Sequence, residues 1–452
     1  MGRITGGRTM IFLFENYDVP TKDLYHSFRK AQINVTPIAL NDDGFLDEDI
    51  LSPYNYYTRD TTKRRLPLYF NRVELPEFFE IRATASMGEI YDGANLRGRI
   101  FYADPKNKRY IRIIDHLTPQ GKAIASDHYD VYGRRFAQTT FNKDGKKVTK
   151  TYYDIHDREV IVENFVTGDI ILNEQGRMYI YKNKVEFANA FLKKLGLENE
   201  VIFYNSLSIP FFVSEERVAT QRKDVLFWQE EIGDRIPGNM QGIIDGESNT
   251  CKIIVQSRSA YQKMQSLGVP EDLMAPLGFI YEMSEHQGDP RKALIMTNSD
   301  QIESLEKIVM NCPETEFYIG AITEMSSKLL NFGNYENVHL YPNIKEHTVK
   351  KLFDECGLYL DINYANEILD ALRNAFLHNQ VILGFKETLH GQAYIMNSHV
   401  YDKEHVEDLI TSINEMDKKR YQIELANQKK QANLATIKDY RRVLDSLRKE
   451  SL

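Results

Sequence analysis

Tryptophan and cysteine are both scarce. The 452-residue chain holds one Trp and three Cys. Cys251, Cys312 and Cys356 are scattered, odd in number and free of CxxC spacing. That excludes a disulfide framework or a thiolate metal site and predicts reduced, cytosolic thiols. No apolar run approaches the roughly 20 residues of a membrane span. The eleven histidines show no paired-ligand spacing: His339/His347 and His390/His399 lie too far apart, and HExxH is absent. Neither a metal nor a cofactor is expected. An excess of positive charge is missing too: the formal net charge is −8, which disfavours bulk nucleic-acid binding. Residues 1–9 are too poor in apolar residues for a signal peptide and read as a leader, with Met10 as the natural start.

What is present is a normal apolar fraction, 42%, with plentiful Tyr and Phe. That composition folds. The length suits two or three domains. Met10–Phe14 and Val35–Leu40 read as buried strands flanking a helix from Asp18 to Ala31. From Leu66 to Tyr181 the texture changes to short alternating runs separated by turn residues such as Asn142-Lys-Asp-Gly145 and Thr167-Gly168. Gly, Asn and Asp tolerate the positive φ of tight turns, so an antiparallel meander is predicted, inserted into the first α/β unit. After a helix at Asn183–Leu195 the β-α alternation resumes. Strands are expected at Val201–Tyr204, Asp224–Phe227 and Cys251–Val255, then at Ala293–Thr297, Glu316–Ile319, Val338–Tyr341, Leu358–Asp361 and Val381–Gly384. Helices are expected at Asp300–Asn311 and Asn366–Leu377, among others. Short strands with helical connections predict parallel sheets with right-handed crossovers.

The expected organisation is therefore a first Rossmann-like domain at 10–65 and 182–245, the meander at 66–181, a second Rossmann-like domain at 246–416, and C-terminal basic helices at 417–452. That tail holds ten Lys or Arg against five Asp or Glu, so it is +5 while residues 1–416 are −13 (−8 minus 5). Leu434, Ile437, Leu444 and Leu447 recur at helical spacing. Two readings stand: a packing helix with a solvated outer face, which carries more weight, and attraction to an anionic membrane surface.

The segment Leu358–Phe385 reads strand, loop, helix, strand. It resembles the donor-binding segment of retaining GT-B glycosyltransferases, Ser-x-Gly-Glu-Gly-x6-Glu-Ala. There, two glutamates grip the sugar nucleotide. Here Asn366 and Asn374 fill those slots, Glu367 falls one position late, and its counterpart is Ala375. In active relatives a Gly-Arg-Leu…Lys loop steadies the diphosphate, whose charge develops in the transition state. The matching turn here, Thr297–Glu303, has no basic residue before Lys307 and carries Asp300 and Glu303. The domain order, with Met10–Phe14, Asp43-Gly-Phe-Leu and Ser52-Pro-Tyr near the start, resembles the non-catalytic stabilising subunit of the accessory Sec glycosyltransferase pair of Gram-positive bacteria. The resemblance implies an α/β, GT-B-like fold with two Rossmann-type domains, a cytoplasmic setting and no catalytic residue. It also implies two partners: a catalytic GlcNAc transferase, and the Ser/Thr-rich repeat adhesin that it modifies. The alternative is an active retaining GT-B transferase.

Within that frame, Asn363, Tyr364, Asn366, Asn374, Lys386 and His390 are the candidates for an acceptor-binding cleft. They stand at the carboxyl ends of strands, where α/β folds bind ligands. Their ordinary role would be loop and helix-cap hydrogen bonding, where Asn also belongs. Trp228 reads as a core anchor before a cleft platform. Tyr102, Tyr110, Tyr152, Tyr153 and Tyr179 are the candidates for a partner interface on the meander, because alternation must leave some tyrosines of a single sheet facing outward. A self-contained β-core is the alternative.

Overall fold

The computed structural model describes residues 10–58, 66–84, 86–217 and 224–450. The expected leader at 1–9 lies outside them. The chain forms two compact units, one comprising Met1–Pro276 and Arg441–Leu452, the other Leu277–Tyr440.

In the first unit, six parallel strands line up in the order Met274–Pro276, Thr250–Val255, Asp224–Trp228, Ile202–Tyr204, Met10–Phe14 and Val35–Ala39. Their apolar runs are buried on both faces, as a sheet covered by helices requires. The helix Val19–Lys30 starts where Asp18 accepts the Thr21 N–H and Pro20 pre-sets φ, and it ends on Arg29 and Lys30. Its inner face places Phe28 edge-on to Phe12 and Phe227, at 5.3 and 5.2 Å between ring centres. The expected boundary at 245 is corrected: Thr250–Val255 pairs with Asp224–Trp228, so the first sheet runs on to Pro276. An apolar run announces a strand but not the sheet that it joins. Trp228 is a core residue, 3% exposed.

The meander is one ten-stranded antiparallel sheet from Phe79–Ala83 to Arg177–Tyr181, each strand paired with its sequence neighbours. Its hairpins share a device. Asp130, Asn142 and Asp154 each accept two backbone N–H groups, two and four residues on. The turn then closes through a residue of positive φ, such as Gly145 at +77°. Different parts of the sheet are covered by different segments. Near one end Phe136, Tyr152, Ile161, Ile170 and Leu172 pack on Tyr54 and Phe187. Near the other, Ile90, Ile100, Tyr102, Ile111 and Ile114 pack under Leu68, Phe70, Val73 and Leu75.

The Tyr54 side is a polar weld as well as a core. Tyr54 stacks on Tyr152 with centroids 4.2 Å apart. Its hydroxyl donates to Glu163, which also lies 3.5 Å from the Lys184 ammonium. Burial, with Glu163 adding to it, pushes the Tyr54 phenol well above its ordinary range. The insert and the first α/β sheet thus share side chains within one unit.

The second unit carries another six-stranded parallel sheet, in the order Val338–Tyr341, Glu316–Gly320, Asp289–Met296, Cys356–Asp361, Val381–Phe385, Val400–Tyr401. Two parallel α/β sheets and the inserted meander are the GT-B-like make-up expected. Two expected helices are shorter than their sequence pattern. Asp300–Asn311 becomes Leu305–Asn311, and Asn366–Leu377 becomes Ala371–Leu377. Ser304, Leu369 and Asp370 adopt positive φ and block the missing turns. The tail is a helix pair, Lys418–Gln431 and Ile437–Glu450. Buried Gln428 accepts the Ile382 N–H and donates to Gln380 O, anchoring the first of these to a strand. Tyr440, Val443, Leu444 and Leu447 of the second are buried, whereas Leu434 and Ile437 are exposed.

Candidate donor and acceptor sites

An open parallel sheet binds ligands where its strand order reverses. In the second unit that point lies between Asp289–Met296 and Cys356–Asp361. The chain itself closes it. The loops after these strands zip together as an antiparallel bridge, Ile302 against Asn363. The Glu303 N–H donates to Ile362 O at 2.7 Å and the Tyr364 N–H to Gln301 O at 3.0 Å. The Tyr364 hydroxyl donates to the Glu303 carboxylate, which holds that carboxyl below its usual range. Asn363 is 2% exposed, and its amide donates to Met296 O at 3.3 Å.

Beside the bridge, Asp361 is fully buried at the end of its strand. His390 clamps it: Nδ1 stands 2.6 Å from Oδ1, and the His390 N–H donates to Oδ2 at 2.8 Å. His390 Nε2 lies 2.5 Å from Ala365 O. A carboxylate and a carbonyl only accept, so both ring nitrogens must donate and the ring is an imidazolium. The hydrogen bond to Asp361 raises its pKa to about 9 against the opposing effect of burial. Glu367 accepts the Leu372 N–H at 2.8 Å and so caps the short helix Ala371–Leu377 internally. Burial raises its carboxyl pKa. Asn374 donates to Leu369 O at 2.7 Å.

The structure therefore corrects three of the acceptor candidates. Asn374 and His390 spend their side chains on the chain's own backbone and on Asp361, and Asn363 is buried with its amide on Met296 O and its Oδ1 without a hydrogen-bond partner among the described residues. Tyr364, Asn366 and Lys386 are exposed, and Lys386 follows the strand Val381–Phe385 directly. The holders are Asp361, Glu303 and Glu367; the sequence comparison singles out Glu303 and Glu367 only against the donor pattern and does not reveal their holding role. The signal for them was an acid at or near a strand end, which reads equally well as a cap. A cavity of about 330 Å³ that includes Ile302 of the bridge is lined by Lys307 and Lys328 as well as by Asp300 and Glu306, whereas a neighbouring one of about 260 Å³ has Asn298, Ser299, Asp300, Glu324 and Ser326 in its lining and no basic residue. The lining of the smaller cavity repels a diphosphate.

Two of the interface candidates are also corrected. Tyr102 and Tyr152 are each 2% exposed and belong to the two cores of the meander. The sheet is covered from different sides along its length, which alternation cannot reveal. Tyr110 is half-buried and bridges to Tyr69. Tyr153 is half-buried with the Arg135 guanidinium 5.1 Å from its ring centre. Tyr179 is exposed on the edge strand Arg177–Tyr181, between Met178 and Ile180, which are 65% and 63% exposed. Those two neighbours were missed.

Four family descriptions match the chain in order. They are the GtfB N-terminal domain at residues 11–57, the GtfB middle domain at 79–182, the GtfB third domain at 184–267 and the GftB/GlyA-F C-terminal domain at 293–430. The UDP-N-acetylglucosamine--peptide N-acetylglucosaminyltransferase stabilizing protein GtfB of Streptococcus agalactiae is 39% identical over 438 residues, covering 96% of this chain and 99% of that protein. The protein of the same name from Streptococcus parasanguinis is 41% identical over 396 residues, covering 87% of this chain and 90% of that one. A chain in the crystal structure of a GtfA/B complex bound to UDP and GlcNAc is similar with a TM-score of 0.90 and 36% identity, covering 97% and 99% of the two chains. Similarity of this depth over almost the whole length places the chain in the GtfB family of GlcNAc-transferase stabilising proteins.

Proposed function

We propose that this chain is the non-catalytic stabilising partner of a UDP-GlcNAc:peptide N-acetylglucosaminyltransferase and holds that enzyme's Ser/Thr-rich acceptor polypeptide. One observation carries the non-catalytic part: the strand-order reversal of the second unit is bridged by the chain's own backbone at Ile302 and Asn363. Asn363 and His390 beside it make internal bonds, and the cavity lined by Asn298, Asp300 and Glu324 has no cation in its lining. The names of the relatives support the same reading, and the alternative of an active transferase is not favoured.

The docking surface for the transferase is the meander's open edge. The strand Arg177–Tyr181 pairs on one side only, with Ile170–Glu174, and exposes Met178, Tyr179 and Ile180. Unpaired edge N–H and C=O groups accept a strand from another sheet, and exposed apolar side chains reward their covering. Three free cysteines suit a reducing cytoplasm. Among the described residues no helix is long and apolar enough to cross a membrane. Lys438, Arg441 and Arg442 are exposed on the last helix, so any contact with an anionic membrane surface is electrostatic and peripheral.

The test mixes the purified chain with its catalytic partner and follows three readouts: co-elution, the melting temperature of the partner, and UDP release on a Ser/Thr-rich peptide. Co-elution, a higher partner melting temperature and no UDP release by the chain alone are expected. Turnover by the isolated chain would overturn the non-catalytic reading.

A further inference from the structure

The insert joins the first α/β sheet through a buried cluster of opposite charges. Glu163 stands on the insert strand Glu159–Asn164 and Lys150 on its neighbour Lys147–Tyr153. The other members come from outside the insert. Asp42 lies in the loop after Val35–Ala39, Tyr54 on the helix Pro53–Thr58, and Lys184 on the first turn of the helix Lys184–Lys194. Glu163 and Asp42 are each 7% exposed. The contacts cross the join. The Glu163 carboxylate accepts from the Tyr54 hydroxyl, and the Tyr152 hydroxyl lies 3.5 Å from it. Lys184 Nζ is 3.5 Å from Glu163 and donates to Asn41 Oδ1, next to Asp42. Lys150 Nζ sits 4.7 Å from the centre of the Tyr152 ring, where it feels the charges of Glu163 and Asp42. Asp42 Oδ1 accepts the Gly44 N–H at 2.8 Å, and Gly44 O accepts the Val131 N–H of the insert at 2.8 Å.

Stability does not explain such a cluster. Taking ions out of water offsets much of their attraction, and well-packed apolar residues in their place are often neutral or stabilising. Lys150 shows the cost. Burial pushes its pKa down to about 8, with Lys184 and Lys147 adding to the fall and Glu163 and Asp42 opposing it. The folded chain holds this proton less tightly than the unfolded chain, whose lysine titrates near 10.5. The Lys150 charge therefore works against folding, fully below about pH 8, and stability rises as pH climbs from there. His128, which also feels the Lys150 charge, is pushed down to about 3 by burial and stays neutral throughout.

What the charges supply is direction. The stack of Tyr54 on Tyr152 and the apolar side chains around it tolerate sliding. A carboxylate bonded to groups on both sides of the join is satisfied at one geometry only. The insert is a long lever on that join. Six strand spacings separate Glu159–Asn164 from Met87–Asp92, about 29 Å at ~4.8 Å each. We propose that Glu163, Lys150, Lys184, Asp42 and Tyr54 are positioning residues: they fix the angle at which the insert meets the α/β sheet, and so present its docking surface to the transferase in one pose, at a cost in stability. The proposal rests on the docking role of the insert given above.

The test uses the full chain with spin labels at two exposed positions, Ala94→Cys in the turn after Met87–Asp92 and Lys30→Cys at the end of the helix Val19–Lys30. Cys251→Ser removes the half-buried thiol, and Cys312 and Cys356 are buried. The label-to-label distance, the melting temperature and the affinity for the transferase are read together. In an apolar set, Tyr54→Phe, Lys150→Met, Glu163→Leu and Lys184→Met are combined with Asp42→Asn, which keeps an acceptor for Gly44. The melting temperature should hold or rise, the distance distribution should at least double in width, and the affinity should fall at least tenfold. Lys150→Met alone should broaden the distances without lowering the melting temperature. Lys184→Arg, which keeps the charge, should match the parent in all three. In the parent, the distances should broaden as pH rises through about 8. Failure of the apolar set to fold, or a lower melting temperature, makes the cluster a stabiliser and overturns the proposal. Unchanged distances or unchanged affinity in a folded set also overturns it. Met178→Asp with Ile180→Lys tests the docking role separately: if that pair binds the transferase as the parent does, the edge reading falls, and the labels still decide whether the cluster fixes the insert.

Discussion

Replacing His390 by alanine tests the account of the closed second-unit crevice most directly. The ring holds Asp361, which is fully buried, through Nδ1 and through the adjoining N–H, and it holds Ala365 O through Nε2. His390→Ala strands a carboxylate without its counter-charge. Breaking a buried pair from one side costs about 3–5 kcal/mol. The pH dependence has a definite sign. The folded pKa of about 9 exceeds the ordinary 6.5, so the folded state holds the proton more tightly. The added stability is fully present below about pH 6.5 and is lost as pH rises through about 9. The full difference corresponds to at most ~3 kcal/mol. Solvent screening of a half-buried ring reduces that to about 1–2 kcal/mol. Scanning calorimetry of parent and variant at pH 6.5 and 9 isolates the effect, because other titrating groups cancel in the difference. Hydrogen exchange of the segments 356–366 and 381–391 locates it. If the variant loses less than about 1 kcal/mol at pH 6.5, or parent and variant respond identically to pH, the imidazolium clamp is wrong.

Glu367→Gln should leave UDP release at background and partner binding intact, since this carboxylate only caps Leu372; activity lost on this change would reveal turnover that the closed crevice forbids. Met178→Asp with Ile180→Lys on the exposed edge should weaken co-elution with the transferase at least tenfold and leave the melting temperature within about 2 °C, as surface substitutions change stability by under about 0.5 kcal/mol. Tyr152→Ala should do the reverse, destabilising the first unit by about 3–5 kcal/mol through the lost stack on Tyr54 and the cavity left behind, measured by urea denaturation of Trp228 fluorescence. Replacing 66–181 by a short linker should abolish partner binding and also lower first-unit stability, because Tyr54 and Phe187 lose the core they share with the insert; circular dichroism and Trp228 emission report it.

Much of this architecture is legible along the chain. Met10–Phe14, Asp224–Trp228 and Cys356–Asp361 announce themselves as strands because a parallel sheet buries both faces and needs unbroken apolar runs. The meander shows in its Asn and Gly turns, and Asn366, Asn374 and the acidic turn at 297–303 show where the sequence departs from the retaining GT-B donor pattern. Those are local properties of residue type and spacing. What only the tertiary structure decided is which surfaces meet. Period-two alternation tells which tyrosines share a face, but not which stretch of a long sheet a helix or loop will cover. Tyr102 and Tyr152 therefore turned inward, and Tyr179 stayed out. Helical spacing over Asn366–Leu377 ran past the point where Leu369 and Asp370 take positive φ, since the backbone there serves the loop that meets His390 and not the helix. Pairing between strands and closure of the second unit's strand-order reversal depend on residues far apart in sequence, and no single segment carries that information.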